Sequence, residues 1–402
     1  MIWIGLNIVL LLTLAFSFQP PDRLKKLYWI GLGVKTIGCI SFGTIYILIF
    51  NTGDTLYFHK SALTLYELSE TSFSDYLNEL LTPHHPIYKA EWRNELFSKI
   101  LSTAYVATQG NYWLSALYLA LFSYLCIWFL VRSIERHYTH LLVPAFIAFV
   151  LFPSPVFWSS GILKDTLVNG SLFYLAGLCI RYYHGDRFTF SQITVATVSL
   201  LLLFYLKFYL AALTGLLMAL LAWRYLVITF VETKGVKVTL TIIIIFTCVV
   251  AVSQANRNIN LDRLPQSLYD NYETIQDQSL PGETLHLDIE PTYASLIYHS
   301  PSAMIAGLFR PFIWETDSFK LLPGIENLFI LLLFLVNLYY IKQLRPNLPG
   351  ILAIIFICCL ATALPMAAPN FGSLIRYKAV FQPFLLFLLL IRPYQFIVLK
   401  EH

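Results

Sequence analysis

Residues 191–206 read SQITVATVSLLLLFYL, residue 207 is a lysine, and residues 208–230 read FYLAALTGLLMALLAWRYLVITF. Two apolar runs meet at one charge, and the direction of every later segment depends on whether they form two helices or one. A bilayer core takes about 20 apolar residues per helical crossing, so the second run is long enough and the first is short. A tight pair turning at Lys207-Phe208-Tyr209 is the preferred reading, and one long tilted helix is the alternative. Lysine and arginine in short loops favour the cytoplasmic side, and they supply the arbiter. Arg23, Lys25, Lys26, Arg132, Arg136, Arg181, Arg187, Arg224, Lys234, Lys237, Lys342, Arg345, Arg392 and Lys400 all fall on one side only if 191–230 is counted as two spans.

The other apolar runs lie at about 2–18, 28–50, 112–131, 141–158, 167–183, 238–253, 325–341, 349–367 and 379–396. With the pair, they predict an all-α, polytopic membrane bundle of about eleven transmembrane helices in one domain over 1–402. The N-terminus is then outside and the C-terminus inside. The composition requires such a class: 57% hydrophobic and 12% charged residues with a mean hydropathy of +0.66 exclude a soluble globular chain. The apolar runs do not alternate, which excludes a membrane β-barrel. The first run has no basic flank and no small-residue cleavage site, so it reads as a retained helix. Cys39, Cys126, Cys179, Cys248, Cys358 and Cys359 lie in apolar runs without ligand spacing and read as small core side chains.

Two long segments fall on the outer side, 51–111 and 254–324, and acidic residues outnumber basic ones in both. The first holds Ser61 to Leu68 and Trp92 to Leu101, each with apolar residues at i, i+3, i+4 and i+7 and charges opposite. That is the pattern of helices lying in the membrane interface, and Pro83-His84-His85-Pro86 separates them. The second is polar to about Thr292, and Pro265, Pro281 and Gly282 are expected to interrupt any short helix in it.

Charged residues collect at the outer ends of the predicted helices: Asp54, Lys164, Asp165, Lys207, Arg310, Arg376 and Lys378. Cations at interface depth suit the phosphate of a lipid carrier. A carboxylate among them suits a general base that deprotonates a sugar hydroxyl. Each residue also has a plainer role. Asp54 would cap the helix that follows, Lys164 and Asp165 would pair locally, and Lys207 would anchor a turn. Arg310 and Arg376 would each meet a protein carboxylate. His84 and His85 fit substrate contact or simple exposure better than a metal site. Pro153 and Pro155 suggest a helix break that lines a cavity, and Lys35 either faces the bundle interior or snorkels.

Together, Gly53-Asp54-Thr55-Leu56-Tyr57, the interface helices after it, Phe152-Pro153-Ser154-Pro155 through Lys164-Asp165, Leu203 to Tyr209, and Arg376-Tyr377-Lys378 before Pro383 resemble the GT-C superfamily of integral-membrane glycosyltransferases. The resemblance covers most of the chain. It implies a polyprenyl-phosphate or polyprenyl-pyrophosphate sugar donor, a glycan or lipid acceptor, and an active site on the periplasmic face of the inner membrane. It implies Asp54 as catalytic base and Lys164, Lys207, Arg310 and Arg376 as donor-phosphate ligands, with Asp165, Lys378, Tyr57, His84 and His85 in the substrate site. No second acid accompanies Asp54, which argues against a bound metal, and no cofactor or nucleic-acid partner is expected. Surface polysaccharide polymerases share these features, and a lipid-linked glycan transporter or a non-catalytic assembly subunit are the other classes.

Overall fold

Lys207 has a non-helical backbone, φ −145° and ψ 77°, and separates α10 (Phe190–Leu206) from α11 (Phe208–Phe230), so 191–230 forms two helices. The computed structural model describes residues 2–82, 92–255, 260–280, 282–316, 320–340 and 347–400. Among these the regular structure is helical, with a single β-bridge between Thr284 and Asn370. Six helices among the described residues are long and apolar enough to cross a membrane, and a seventh candidate is a pair bent by 61°, Phe371–Lys378 with Gln382–Pro393. The chain forms two compact units: residues 1–139, 149–178 and 187–207 make unit 1, and 140–148, 179–186 and 208–402 make unit 2.

In unit 1, α1 (Ile2–Ser17) leads into α2 (Asp22–Thr44), which continues as a π-helical stretch, Ile45–Phe50. Then come α3 (Asp54–Thr71), α4 (Phe73–Leu81), α5 (Trp92–Thr108) and α6 (Tyr112–His137). The expected span 141–158 is broken: α7 (Leu142–Phe146), which belongs to unit 2, and a π-helical turn, Ile147–Leu151, are separated by Phe152 from α8 (Pro153–Trp158) of unit 1. Pro153 and Pro155 cannot donate the backbone hydrogen bonds that would continue the preceding turn. After α8 comes α9 (Lys164–Tyr183). Thr189 and Gln192 close a reciprocal capping box at the start of α10.

Residues 22–44 form the axis of unit 1 because three glycines interrupt the bulk of one buried face. Leu24, Tyr28, Gly31, Lys35, Gly38, Cys39, Phe42 and Gly43 of α2 are all buried. A Cβ on Gly31 would meet Val150 at 2.7 Å and Tyr124 at 2.8 Å, and one on Gly38 would meet Val156 at 2.8 Å. Gly43 lies against Trp113, and Phe42 covers Gly161. The register gives the directions. Position 31 faces 124 and position 43 faces 113, so α2 and α6 are antiparallel; positions 31, 38 and 42 face 150, 156 and 161, so α2 and the 150–161 segment are parallel. Gly170 packs on Ser123 and Gly177 on Leu130, so α6 and α9 are parallel. Asp165 meets Lys207 at one end, and Tyr174 Oη donates to the Gln192 carbonyl further along, so α9 and α10 are antiparallel. Tyr118 Oη of α6 donates to Asn7 Oδ1 at 2.9 Å, and Tyr28, whose ring lies beside Tyr124, donates to the Ala15 carbonyl at 2.7 Å, so α1 runs with α6 and is antiparallel to α2. Successive apolar segments of unit 1 therefore alternate in direction.

Two expectations for this unit need correction. Glu95 and Lys99 do not lie on an outward face of α5: both are buried, at 4% and 6% exposure, and pair with each other. A buried charge is tolerated when its counter-charge is one helical turn away. Cysteine burial also holds only in part, since Cys39 and Cys126 are buried whereas Cys359, in unit 2, is exposed.

Unit 2 carries α11, then α12 (Lys234–Ala255), α13 (Leu264–Asp277), α14 (Tyr293–Phe309), α15 (Leu321–Tyr339), α16 (Leu348–Ala367), α17 (Phe371–Lys378) and α18 (Gln382–Lys400). Pro265 sits in the first turn of α13, where a missing N–H costs nothing, so it starts a helix instead of interrupting one. Pro281 lies outside the described residues, and Gly282 has φ +83°, a turn conformation that favours glycine. Residues 283 and 285 bond to α17's leading edge, with Leu285 N donating to the Pro369 carbonyl and Phe371 N to that of Glu283. Ala303 and Met366 share a core with Leu296, and Gly307 of α14 lies against the backbone of Ala361 in α16. Asn337 Nδ2 donates to the Leu389 carbonyl at 2.9 Å, tying α15 to α18.

The α14–α16 crossing yields a paired expectation. Gly307→Val would overlap the Ala361 carbonyl and should destabilise the protein by about 1–3 kcal/mol. Gly33→Ala has nothing within 4 Å of the added methyl and should stabilise α2 by up to about 1 kcal/mol. Unfolding of the detergent-held variants checks both signs.

Candidate functional site

The alternation of directions brings one end of unit 1 into focus. The C-terminal end of α2, the N-termini of α6 and α9, the end of α8 and the C-terminal end of α10 all lie there. The opposite end holds the ion pair between Arg23 and Glu135, on the helices that also carry Lys25, Lys26, Arg132 and Arg136.

Asn51 and Gly53, with φ +47° and +108°, turn the chain into α3. Asp54 is the first residue of α3, Gly53 is its N-cap, and no side-chain cap bond forms. Its carboxylate lies at the positive end of the helix dipole and is exposed. Tyr57 is also exposed, with its ring edge-on to Phe58. Phe58, one turn beyond Asp54, is buried against Phe97 of α5, and the Lys164 Nζ lies 5.6 Å from the Phe58 ring centroid. Lys164 also donates to Asn94 Oδ1 in the first turn of α5. The neighbouring Asp165 is fully buried and pairs with Lys207, itself 7% exposed. Trp92 packs edge-on to Tyr205, which brings α5 against the end of α10.

Lys164 and Asp165 are therefore adjacent in sequence but differ in partner. The four expected residues of this unit, Asp54, Lys164, Asp165 and Lys207, come together at one end. The result is an exposed carboxylate on the first turn of α3, a half-buried ammonium against Phe58 on its second turn, and a buried ion pair one residue after that ammonium. Beneath Asp54, Thr55 bonds Tyr112 Oη at 2.8 Å and His59 Nδ1 bonds Tyr105 Oη at 2.5 Å, which locks α3 onto α5 and α6. Burial, with a smaller push from Lys60, lowers the pKa of His59; burial raises that of Tyr105.

Unit 2 has its own charged cluster. Arg310 follows the end of α14 and holds Glu315 through Nε, at 3.0 Å, and Nη2, with its guanidinium 5.3 Å above the Phe371 ring. The protein-carboxylate alternative is thus realised for Arg310, and Glu315 also accepts from Phe312 N at 2.9 Å. Lys378 is 1% exposed. Its Nζ donates to the Leu308 and Arg310 carbonyls at 3.1 and 3.0 Å and to Asn327 Oδ1 at 2.8 Å. An ammonium has three donors, all used here inside the protein, so Lys378 braces the end of α14 and leaves nothing for an external ligand. Arg376 is half-buried on α17. His84 and His85 lie outside the described residues.

Asn94, Glu315 and Asn327 carry no chemical signature in the sequence, and tertiary contact alone makes them partners. Lys35 faces the interior and binds Ser159. No group of three or more metal-ligating side chains occurs among the described residues. The chain matches no family model, no curated protein and no solved structure.

Removing one partner of a buried pair leaves an uncompensated charge. Asp165→Ala should therefore destabilise the protein by about 3–5 kcal/mol, and Asp165→Ala with Lys207→Met should recover most of that loss. Chemical unfolding of the two variants measures it. His59 has a second signature. Its folded pKa lies below the unfolded value of roughly 6.5, so the unfolded state takes up the proton first. The stability this residue contributes is complete above that pH and declines as pH falls through it. His59→Gln should therefore flatten the drop in unfolding midpoint between about pH 7.5 and about pH 5.5.

Proposed function

We propose that the protein is a GT-C-type membrane glycosyltransferase that moves a sugar from a polyprenyl-phosphate or polyprenyl-pyrophosphate carrier to a surface glycan or lipid acceptor. The observation that carries this reading is the placement of Asp54 at the head of α3 with Lys164 set against the ring of Phe58 one turn along that helix, and the Asp165–Lys207 pair next to Lys164 in the chain. An exposed carboxylate at a helix start is reachable by an acceptor hydroxyl, and as general base it would take that proton as the oxygen attacks the anomeric carbon. The carrier phosphate departs with the electron pair of the broken glycosidic bond, and the Lys164 ammonium would offset the charge it gains. Lys207, neutralised by Asp165, acts by fixing the start of α9 and so the place of Lys164.

In the proposed topology the chain crosses the inner membrane about eleven times, with the N-terminus periplasmic, the C-terminus cytoplasmic and α3 and α5 at the outer interface. Alternating helix directions in unit 1 support it, as does the concentration of arginine and lysine at the end opposite Asp54. An active group at a membrane rim, with the lipid tail in the bilayer, favours an enzyme over a carrier, which places its charges near the midplane.

The test is transfer of label from a polyprenyl-linked sugar pool by protein in nanodiscs. Asp54→Asn should lower turnover by about 100- to 10,000-fold without moving the unfolding midpoint, and Lys164→Ala should weaken donor use. Near-normal product from Asp54→Asn would refute the mechanism. A ladder of products in place of one addition would identify the polymerase variant of the same chemistry.

A further inference from the structure

Lys35 lies inside a helix long and apolar enough to cross a membrane, and it is 3% exposed. Its Nζ donates to the Ser159 carbonyl at 2.5 Å and to Ser159 Oγ at 2.6 Å. Among the described residues it has no carboxylate within ion-pair distance. An ammonium withdrawn from water without a counter-charge costs several kcal/mol, and ionisable residues within spans serve specific purposes.

What Lys35 holds is a stretch of backbone that needs help. Ser159 follows the last residue of α8, and residues 159–163 form a non-helical, wholly buried turn before α9. Helix ends leave carbonyls without intrahelical partners, and no water reaches non-helical backbone buried in a bundle. A cation at the C-terminal end of α8 answers both needs. The remaining bonds of the turn are local: Ser160 Oγ to the Val156 carbonyl, Thr166 Oγ1 to that of Gly161 at 2.6 Å, and Leu163 N to the same Gly161 oxygen at 2.9 Å. Phe42, seven residues after Lys35 on the same face of α2, covers Gly161. Thus α2 grips the turn twice, by charge at Ser159 and by a ring at Gly161. The next residues are Lys164 and Asp165.

We propose that Lys35 is the positioning residue of the unit 1 site: it fixes the 159–163 turn from the neighbouring helix and so sets where Lys164 and Asp165 stand. The inference deepens the proposed function and rests on it for its ligand. Removing a buried ion that has no counter-charge also removes its desolvation cost. A positioning role therefore separates local order from global stability.

The experiment compares wild type, Lys35→Met, Lys35→Arg and Ser159→Ala in nanodiscs. It uses amide exchange over 159–166, thermal unfolding, and titration with farnesyl phosphate. Lys35→Met should raise exchange in the turn and weaken farnesyl phosphate binding, each about tenfold, with the unfolding midpoint held or raised. Lys35→Arg should restore part of both, and Ser159→Ala, which keeps the carbonyl acceptor, should fall between. Unchanged exchange and binding in Lys35→Met would overturn the proposal, as would a lowered midpoint with exchange raised evenly along the chain. If Lys35→Met does not fold, Lys35→Gln is judged by the same exchange pattern. If wild type itself fails to bind farnesyl phosphate, the prenyl-phosphate reading fails, and the exchange result still decides whether Lys35 orders the turn.

Discussion

The ion pair between Asp165 and Lys207 joins the start of α9 to the end of α10 where neither side chain meets water. In a medium that solvates no charge, a buried ion persists when its partner is at hand, and the architecture of unit 1 follows from meeting that condition. Glu95 and Lys99 meet it within one helix. Lys35 meets it with the dipole and carbonyl at the end of α8, and in unit 2 Lys378 meets it with three neutral acceptors. These are four solutions to one problem, and all but the Glu95–Lys99 pair tie together segments that the apolar surround would leave free to slide.

Sliding matters because hydrophobic burial discriminates weakly between helices in lipid, where association rests on close packing and polar contacts. Glycine supplies the close packing here. Gly31, Gly38 and Gly43 let α2 approach α6 and α8, Gly170 and Gly177 let α9 approach α6, and Gly307 does the same for α14 and α16. The apolar surface left outside is large: the 235–254 helix has no buried residue in its most apolar window. Exposure on that scale belongs in a bilayer.

The candidate site combines both devices. Its rigid part is the buried pair with the turn that precedes it, and its accessible part is Asp54 at the head of α3, held from below by the Thr55–Tyr112 and His59–Tyr105 bonds. Asp54 and Lys164 are thus carried by helices that these contacts keep from rotating independently. The cluster around Arg310 is of another kind, since Glu315 holds the guanidinium and Asn327 and Lys378 hold the adjoining backbone.

The apolar runs, their breaks and the charge bias of their loops were legible in the sequence, because helix formation in an apolar medium is a local demand that each segment satisfies by itself. The break at Lys207 and the interruption at Pro153 and Pro155 could be picked out that way, as could the charges of Asp54, Lys164 and Asp165 at the helix ends. Partnership was not legible. Adjacent Lys164 and Asp165 look like a pair, yet Asp165 finds Lys207 forty-two positions on and Lys164 finds Asn94 seventy positions back. Glu95 and Lys99 look like an outer face and are buried, and the interior or snorkelling fate of Lys35 was decided by Ser159. Which helix ends meet depends on glycine-set approach distances and on the alternation of helix directions, both properties of the packed bundle. The residue types at the site came from the sequence, and their pairing came from tertiary structure, because an ion pair is fixed by distance in space and separation along the chain does not encode it.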